Sequence, residues 1–188
     1  MLVETPLKII IMNIKQLQPT EYATFYANYI AQVSDEYTLI EELEISVHRL
    51  IKFVQDIPMD KFDYRYAEGK WTIKDILQHL IDCERIFAYR ALRFARNDKT
   101  DLPGFDEDFY ANQSNGSSRS IQSLLTELAV VRQATLSLFN TFSELQLLSI
   151  GTANNNQMSV RALGFVIIGH QNHHQKIFQE RYLVKNEV

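Results

Sequence analysis

The sequence contains a single cysteine, so an internal disulfide framework is excluded. Proteins with so little cysteine are typical of a reducing compartment, and we expect a cytoplasmic location. The apolar stretch over residues 1–11 is interrupted by Glu4, Pro6 and Lys8, which leaves it too short to span a bilayer. It also lacks the continuous apolar run of a signal peptide, and Met12 offers an alternative start of the natural chain.

An excess of positive charge is also absent, because 19 Lys and Arg face 23 Asp and Glu. A formal net charge of -4 gives no basic surface for nucleic acid, and no membrane partner is expected. A length of 188 residues suits one domain with a substantial core. We predict a loosely structured segment over residues 1–18 and one helical domain over residues 19–185.

No segment alternates apolar and polar residues as a strand does, whereas four long segments have helical periodicity. The predicted helices cover residues 34–56, 72–96, 120–142 and 159–183. Ser34 is predicted to cap the first helix, and Thr72 with Asp75 has the capping-box pattern at the second. An aromatic segment over residues 22–33 predicts a short additional N-terminal helix.

Four amphipathic helices of this length predict an all-α fold, a four-helix bundle. Three long connections join them, over residues 57–71, 97–119 and 143–158. Connections of this length can cross the end of a bundle, so the helices need not alternate up and down. Aromatic residues in the middle connection predict that it packs on the bundle or borders a cleft.

The stretch GHQNHHQKI, residues 169–177, holds three of the five histidines. On a helix, His170 and His174 lie one turn apart, about 40° from each other, on the face that carries the apolar residues. His79 lies on the inward face of the second predicted helix. Each imidazole could instead hydrogen-bond across the core, but three inward histidines from two helices favour a shared metal ion.

Three histidine ligands would leave a coordination position for water or substrate, as in catalytic metal sites. An ion held by neutral ligands would acidify a bound water or thiol. His173 lies about 60° to the side of His170, so we expect it at the rim, touching a ligand rather than the ion. Asp82 flanks the face that carries His79 and could contact a ligand in the same way or act as a base. Cys83 could also ligate, although free cysteines are mostly small core residues.

Three stretches of the sequence resemble the DinB/YfiT-like family of metalloenzymes. They are YRYAEGKWTIKDILQHLIDCERIFAYRALRFAR, LPGFDEDFY and GTANNNQMSVRALGFVIIGHQNHHQKIFQERYL. The resemblance implies an up-down-down-up four-helix bundle, often dimeric, with a divalent metal ion on His79, His170 and His174. In this family the metal is nickel, zinc or iron, and some members are thiol-dependent transferases or isomerases that use bacillithiol or mycothiol.

The leading hypothesis is a metal-dependent enzyme in which a water or low-molecular-weight thiol attacks a small electrophilic substrate. A non-catalytic, stress-associated metal-binding protein is the alternative, since the sequence shows no clear general base. A third hypothesis makes the histidines polar core residues without a metal. Phe165 and Ile168 lie away from the histidine face of the fourth helix, and such apolar surface predicts a homodimer.

Overall fold

The computed structural model describes residues 12–184, and within this range the fold is a helical bundle with one small β-hairpin. The α-helices are α1 (Ala27–Ile30), α2 (Leu39–Gln55), α3 (Ile73–Ala95), α4 (Glu107–Gln113), α5 (Ile121–Phe139), α6 (Glu144–Leu147) and α7 (Val160–Ile177). A π-helical turn, Phe178–Tyr182, extends α7. The strands are β1 (Ile150–Ala153) and β2 (Asn156–Ser159). None of the helices in residues 12–184 has an apolar stretch long enough to cross a membrane.

Side-chain caps determine where the long helices begin. The Thr72 hydroxyl accepts from the Asp75 amide, and Asp75 accepts from the Thr72 amide, which confirms the predicted capping box. Ser120 and Ser159 cap α5 and α7. The predicted cap at Ser34 is wrong, because Thr38 caps α2 with Glu41 and the helix begins at Leu39.

Contacts between the four long helices define the order of the bundle. Helices α2 and α7 run parallel, with contacts at Leu39–Gly164, Ser46–Gln171 and Phe53–Phe178. Helices α3 and α7 run antiparallel, because Trp71, just before α3, contacts Tyr182, just after α7, and His79 contacts His170. Helices α3 and α5 run parallel, with contacts at Gln78–Arg119 and Arg85–Glu127. The directions are therefore up, down, down and up, as the resemblance implied.

The core consists of two apolar clusters separated by a polar layer. One cluster contains Leu39, Leu43, Phe87, Phe94 and Leu163, and the other contains Leu50, Leu77, Leu128 and Phe178. Between them lie buried polar residues from all four long helices: Ser46, His79, Glu84, Arg132, His170, Gln171 and His174. This layer is where the sequence-predicted histidines enter the bundle.

The N-terminal segment packs against α7 rather than remaining loose. Residues 1–11 lie outside the described residues, but Met12 is buried, and a 3-10 turn over Ile14–Gln16 follows it. Arg161 of α7 donates to the Gln16 carbonyl at 3.0 Å, which ties the two elements together. The expectation of a loose segment is therefore wrong for residues 12–18, because buried contacts hold them on the bundle.

The α7 surface that motivated a dimer is buried within the single chain. Phe165 and Ile168 are 1% and 0% exposed within the single chain. The predicted short N-terminal helix is present as α1, and it packs on α7. Gly169 permits this approach, since a Cβ atom there would lie 2.1 Å from the Tyr29 carbonyl oxygen. The exposed apolar surface assumed in the dimer argument does not exist at these two residues.

Two connections contain structure that the helical periodicity did not predict. Strands β1 and β2 pair antiparallel, and Asn154 and Asn155 at their turn have φ angles of 51° and 59°. Leu102 pairs with Ala153, so the connection after α3 is attached to this hairpin. The prediction of no strand is wrong here because four-residue strands are too short to show an alternating pattern.

Candidate metal centre

His79, His170 and His174 meet in the polar layer between α3 and α7. His79 Nε2 lies 2.9 Å from His170 Nε2, and His174 Nε2 lies 3.1 Å from the same atom. One nitrogen from each ring can be chosen so that all three lie within 4.8 Å of one another. The three residues are 4% to 8% exposed. The structure thus brings together the three histidines selected from the sequence.

Burial keeps all three imidazoles neutral at physiological pH. It lowers the pKa of His79 to about 4. Burial, followed by the neighbouring histidines, also holds the pKa values of His170 and His174 well below their usual range. A neutral imidazole offers a lone pair to a metal ion, whereas an imidazolium does not. The protonation state of the cluster is therefore that of a ligand set.

The spacing of the nitrogens fits a divalent metal ion. Two nitrogens held about 2.0 to 2.1 Å from one ion at tetrahedral to right-angle geometry lie roughly 2.8 to 3.4 Å apart. The two close pairs agree with this range. The remaining pair, His79 and His174, is wider, and an ion would draw those rings together. Without a shared cation, each close pair requires a hydrogen on one of its two facing nitrogens.

The opposite ring nitrogens differ in their surroundings. His79 Nδ1 and Nε2 lie 3.5 and 3.7 Å from Cys83 Sγ, so the thiol contacts the ring of a candidate ligand. Cys83 does not belong to the three-histidine group, and burial raises the pKa of its thiol. His174 Nδ1 is buried and has no hydrogen-bond partner within residues 12–184. A ligating histidine usually donates this second nitrogen to a carboxylate, carbonyl or water.

The two other candidate residues of the site lie beside the cluster. His173 is partly buried, its ring packs 5.2 Å from those of Tyr29 and His174, and its Nδ1 is 3.5 Å from Gln32 Nε2. It lies outside the three-histidine group. The Asp82 carboxylate accepts from Gln78 at 3.0 Å and lies 3.8 Å from Arg85. These contacts direct Asp82 along the surface of α3 rather than toward a histidine.

A cleft of about 210 Å³ reaches the cluster beside His174. Its walls combine aromatic and aliphatic side chains with one carboxylate and one amine: Tyr66, Trp71, Ile76, Ile177 and Tyr182, with Asp108 and Lys70. The Trp71 ring packs 4.9 Å from the His79 ring. The Tyr182 hydroxyl donates to the Trp71 carbonyl at 2.6 Å and holds that wall to the end of α7. A small molecule can therefore approach the histidines from this side.

These cleft residues were not predicted from the sequence. Trp71 immediately precedes the cap of α3, so its place over His79 follows from the capping box. Asp108 lies in α4, within the middle connection that was expected only to pack on the bundle or border a cleft. Helical periodicity carries no information on which loop residues return to the site.

A buried ion pair supports the cluster from the inner side. Arg132 donates to both oxygens of Glu84, at 2.7 and 2.9 Å, and also to Gln171 at 3.0 Å. Gln171 in turn donates to the Ser46 carbonyl at 2.8 Å. Because Gln171 is adjacent to His170, this network fixes the part of α7 that carries the histidines.

The fold and the three-histidine cluster define the class of protein: residues 42–178 match the DinB superfamily, and the chain belongs to it. A protein of Oceanobacillus iheyensis, named provisionally as a metal-dependent hydrolase, is 24% identical over 144 residues. That match covers 76% of this chain and 82% of the relative. The structure of YfiT from Bacillus subtilis, described as a probable metal-dependent hydrolase with an unusual four-helix bundle topology, is also similar. It has a TM-score of 0.66 and 18% identity, covering 76% of this chain and 82% of YfiT.

Proposed function

We propose that this protein is a metal-dependent enzyme, a hydrolase or a thiol transferase, with His79, His170 and His174 as the metal ligands. One observation carries the proposal: three neutral imidazoles converge at a cleft that can admit a small molecule. The name of the Oceanobacillus relative and the description of YfiT support a metal-dependent hydrolase. A purely metal-storing protein would not need an approach for a second molecule.

When bound, a divalent ion at these histidines supplies Lewis acidity toward a water or thiol and toward the electrophile. The protein residues position the reactants. Trp71 and Tyr182 form an apolar wall that excludes solvent from one side of the cleft, and His174 lies at its inner end. We assign Asp108 as the proton acceptor, because it is the carboxylate that lines this cleft. Lys70 provides a cation for an anionic leaving group.

The test compares tag-free protein that is metal-depleted with the same protein reloaded with zinc, nickel or ferrous iron. Ester and amide substrates without thiol detect hydrolysis, and an electrophile with a low-molecular-weight thiol detects transfer. We expect turnover in one arm that requires the metal and is lost in His170→Ala. No metal-dependent turnover in either arm, from protein that binds one ion per chain, would refute an enzymatic function.

The Asp108→Asn variant tests the role of the cleft carboxylate. We expect bound metal to remain near the wild-type content, since Asp108 is outside the three-histidine group. The turnover number should fall by about 100-fold, the usual size of a general-base contribution. Glu180→Gln, an exposed carboxylate on the same end of the bundle, is the control. A turnover number in Asp108→Asn that matches that of the control contradicts the assignment.

A further inference from the structure

A second cavity, of about 330 Å³, lies beside the β-hairpin, at the far end of α3 from His79. Its polar lining comes from four separate elements: Tyr26, Arg90, Glu107, Asn154 and Asn156. His79 and Arg90 are eleven residues apart on α3, about 16 Å along the axis. Phe87 packs between Tyr26 and His170, with ring centroids 6.3 and 6.1 Å away. Phe87 therefore separates Tyr26, on the wall of this cavity, from His170.

Arg90 is the feature of the cavity that requires explanation. It is 4% exposed, yet it forms no salt bridge with a carboxylate within residues 12–184. Its guanidinium donates to the Pro103 carbonyl at 3.1 Å and lies 5.9 Å from the centre of the Phe105 ring. The other two buried arginines, Arg132 and Arg161, are both paired with carboxylates. A buried guanidinium without an anion is costly, so the cavity favours a ligand that supplies one.

Glu107 is the acidic group that lines the same cavity, and it also forms no ion pair within residues 12–184. Burial raises the pKa of the Tyr26 phenol, which lines the same cavity; the charge of Arg90 lowers this pKa and that of Glu107 raises it. The cavity thus presents an unpaired cation and an unpaired carboxylate that are not in contact with each other. A simple anion would satisfy Arg90 but would be repelled by Glu107.

Backbone hydrogen bonds join the connection after α3 to the β-hairpin at one wall of this cavity. The Leu102 amide donates to the Thr152 carbonyl at 3.0 Å, and the Asn154 amide donates to the Leu102 carbonyl at 2.8 Å. Gly104 allows the Asn154 side chain to lie close, because a Cβ atom there would be 2.5 Å from Asn154 Oδ1. The loop that carries Glu107 is therefore attached to the hairpin that carries the two asparagines.

We propose that this cavity binds a small zwitterion of the α-amino-acid type, with its carboxylate on Arg90 and its ammonium group on Glu107. The guanidinium offers paired donors that match a carboxylate, and the asparagine amides can bond either group. The volume accommodates an amino acid with a medium-sized side chain. This site is independent of the proposed metal-dependent activity, and its occupancy can be measured without metal.

The experiment is calorimetric titration of the full-length protein with three matched probes. L-norleucine carries both charged groups, hexanoate lacks the ammonium group, and pentylamine lacks the carboxylate. We expect saturable binding of L-norleucine at millimolar concentration or below, with hexanoate and pentylamine each at least about tenfold weaker, the usual effect of losing one charged hydrogen bond. Hexanoate that binds as tightly as L-norleucine, or absent binding of L-norleucine, overturns the proposal.

Variants then place the binding in this cavity. Arg90→Lys keeps the charge but loses the paired donors, and Glu107→Gln removes the anionic partner at an exposed position where folding is not at stake. We expect each to weaken L-norleucine binding at least about tenfold. Arg96→Gln, an exposed change six residues further along the chain, is the matched control and should bind like the wild type. Wild-type affinity in Glu107→Gln refutes the site even if Arg90→Lys fails to fold.

Discussion

His173 and His174 are adjacent imidazoles in very different surroundings, which makes them a matched pair for testing the metal centre. His174 is 8% exposed, and its Nε2 lies 3.1 Å from His170 Nε2. His173 is partly buried against Tyr29 and Gln32. Replacing either with alanine removes the same atoms from the same turn of α7. Only the position relative to the centre differs between the two variants.

The expected magnitudes follow from these contacts. His174→Ala removes one of three candidate ligands, and we expect most of the bound metal to be lost on dialysis. His173→Ala removes only a residue beside a ligand, so the affinity should fall by about tenfold, the low end for such changes, with about one ion per chain retained. His79→Ala and His170→Ala should behave as His174→Ala.

Elemental analysis of the four dialysed, tag-free variants gives the stoichiometry, and thermal unfolding gives the linked stability. An ion at 100 times its dissociation constant stabilises the folded state by about 2.7 kcal/mol. For a domain of this size that raises Tm by roughly 5 to 11 °C. His173→Ala should retain about half of this increase, since a tenfold weaker site keeps about 1.4 kcal/mol, and His174→Ala almost none. Metal lost from His173→Ala but retained by His174→Ala would falsify the ligand assignment and the inward face assigned to α7.

Three further predictions concern stability. Burial raises the pKa of Asp75, but hydrogen bonds from Thr72 and Ser117 outweigh this effect, so the pKa lies below its usual range. The stability that the ionised Asp75 carboxylate contributes is present above about pH 4 and is lost as the pH falls through the folded-state pKa. Asp75→Asn should therefore flatten the acid limb of a series of urea unfolding measurements at different pH values. An unchanged acid limb would contradict this prediction. Glu84→Gln leaves the buried Arg132 guanidinium without its anionic partner and should lower the free energy of unfolding, measured in urea, by about 3 kcal/mol. The double variant Glu84→Leu with Arg132→Met should recover most of that loss. Gly169→Ala should cost about 2 kcal/mol, because the added methyl group displaces the Tyr29 backbone; wild-type stability would show that α1 moves freely.

The sequence was sufficient to predict the four long helices and the inward faces of the two that carry the histidines. A period of 3.6 residues places His170 and His174 one turn apart, and neighbouring apolar residues show which face is buried. The starts at Thr72, Ser120 and Ser159 were predictable because each cap is a local interaction with an amide three residues later. Local chemistry and periodicity therefore account for the parts of the centre that lie on helices.

The start of α2 was not predictable, because Ser34 and Thr38 are both suitable caps by local chemistry. Distant contacts select Thr38: the Leu39 amide donates to the Met12 carbonyl at 2.7 Å, and Asn13 donates to the Tyr37 carbonyl at 3.1 Å. The return of Asp108 to the cleft and the burial of Phe165 likewise depend on contacts between segments far apart in the chain. Such long-range choices leave no periodic signal in one sequence.

The polar layer explains why the centre faces outward into the cleft. Polar groups in a core must find partners, and those on the inner side of the layer do: Arg132 is bonded to Glu84, Ser46, the Leu43 carbonyl and Gln171. On the cleft side the Nε2 atoms of the three histidines face one another, and neutral imidazoles cannot fully satisfy such an arrangement by hydrogen bonds alone. A cation at that point satisfies all three lone pairs at once. The unsatisfied side of the layer is also the side open to a small molecule, and this coincidence is what a site for metal-dependent chemistry requires.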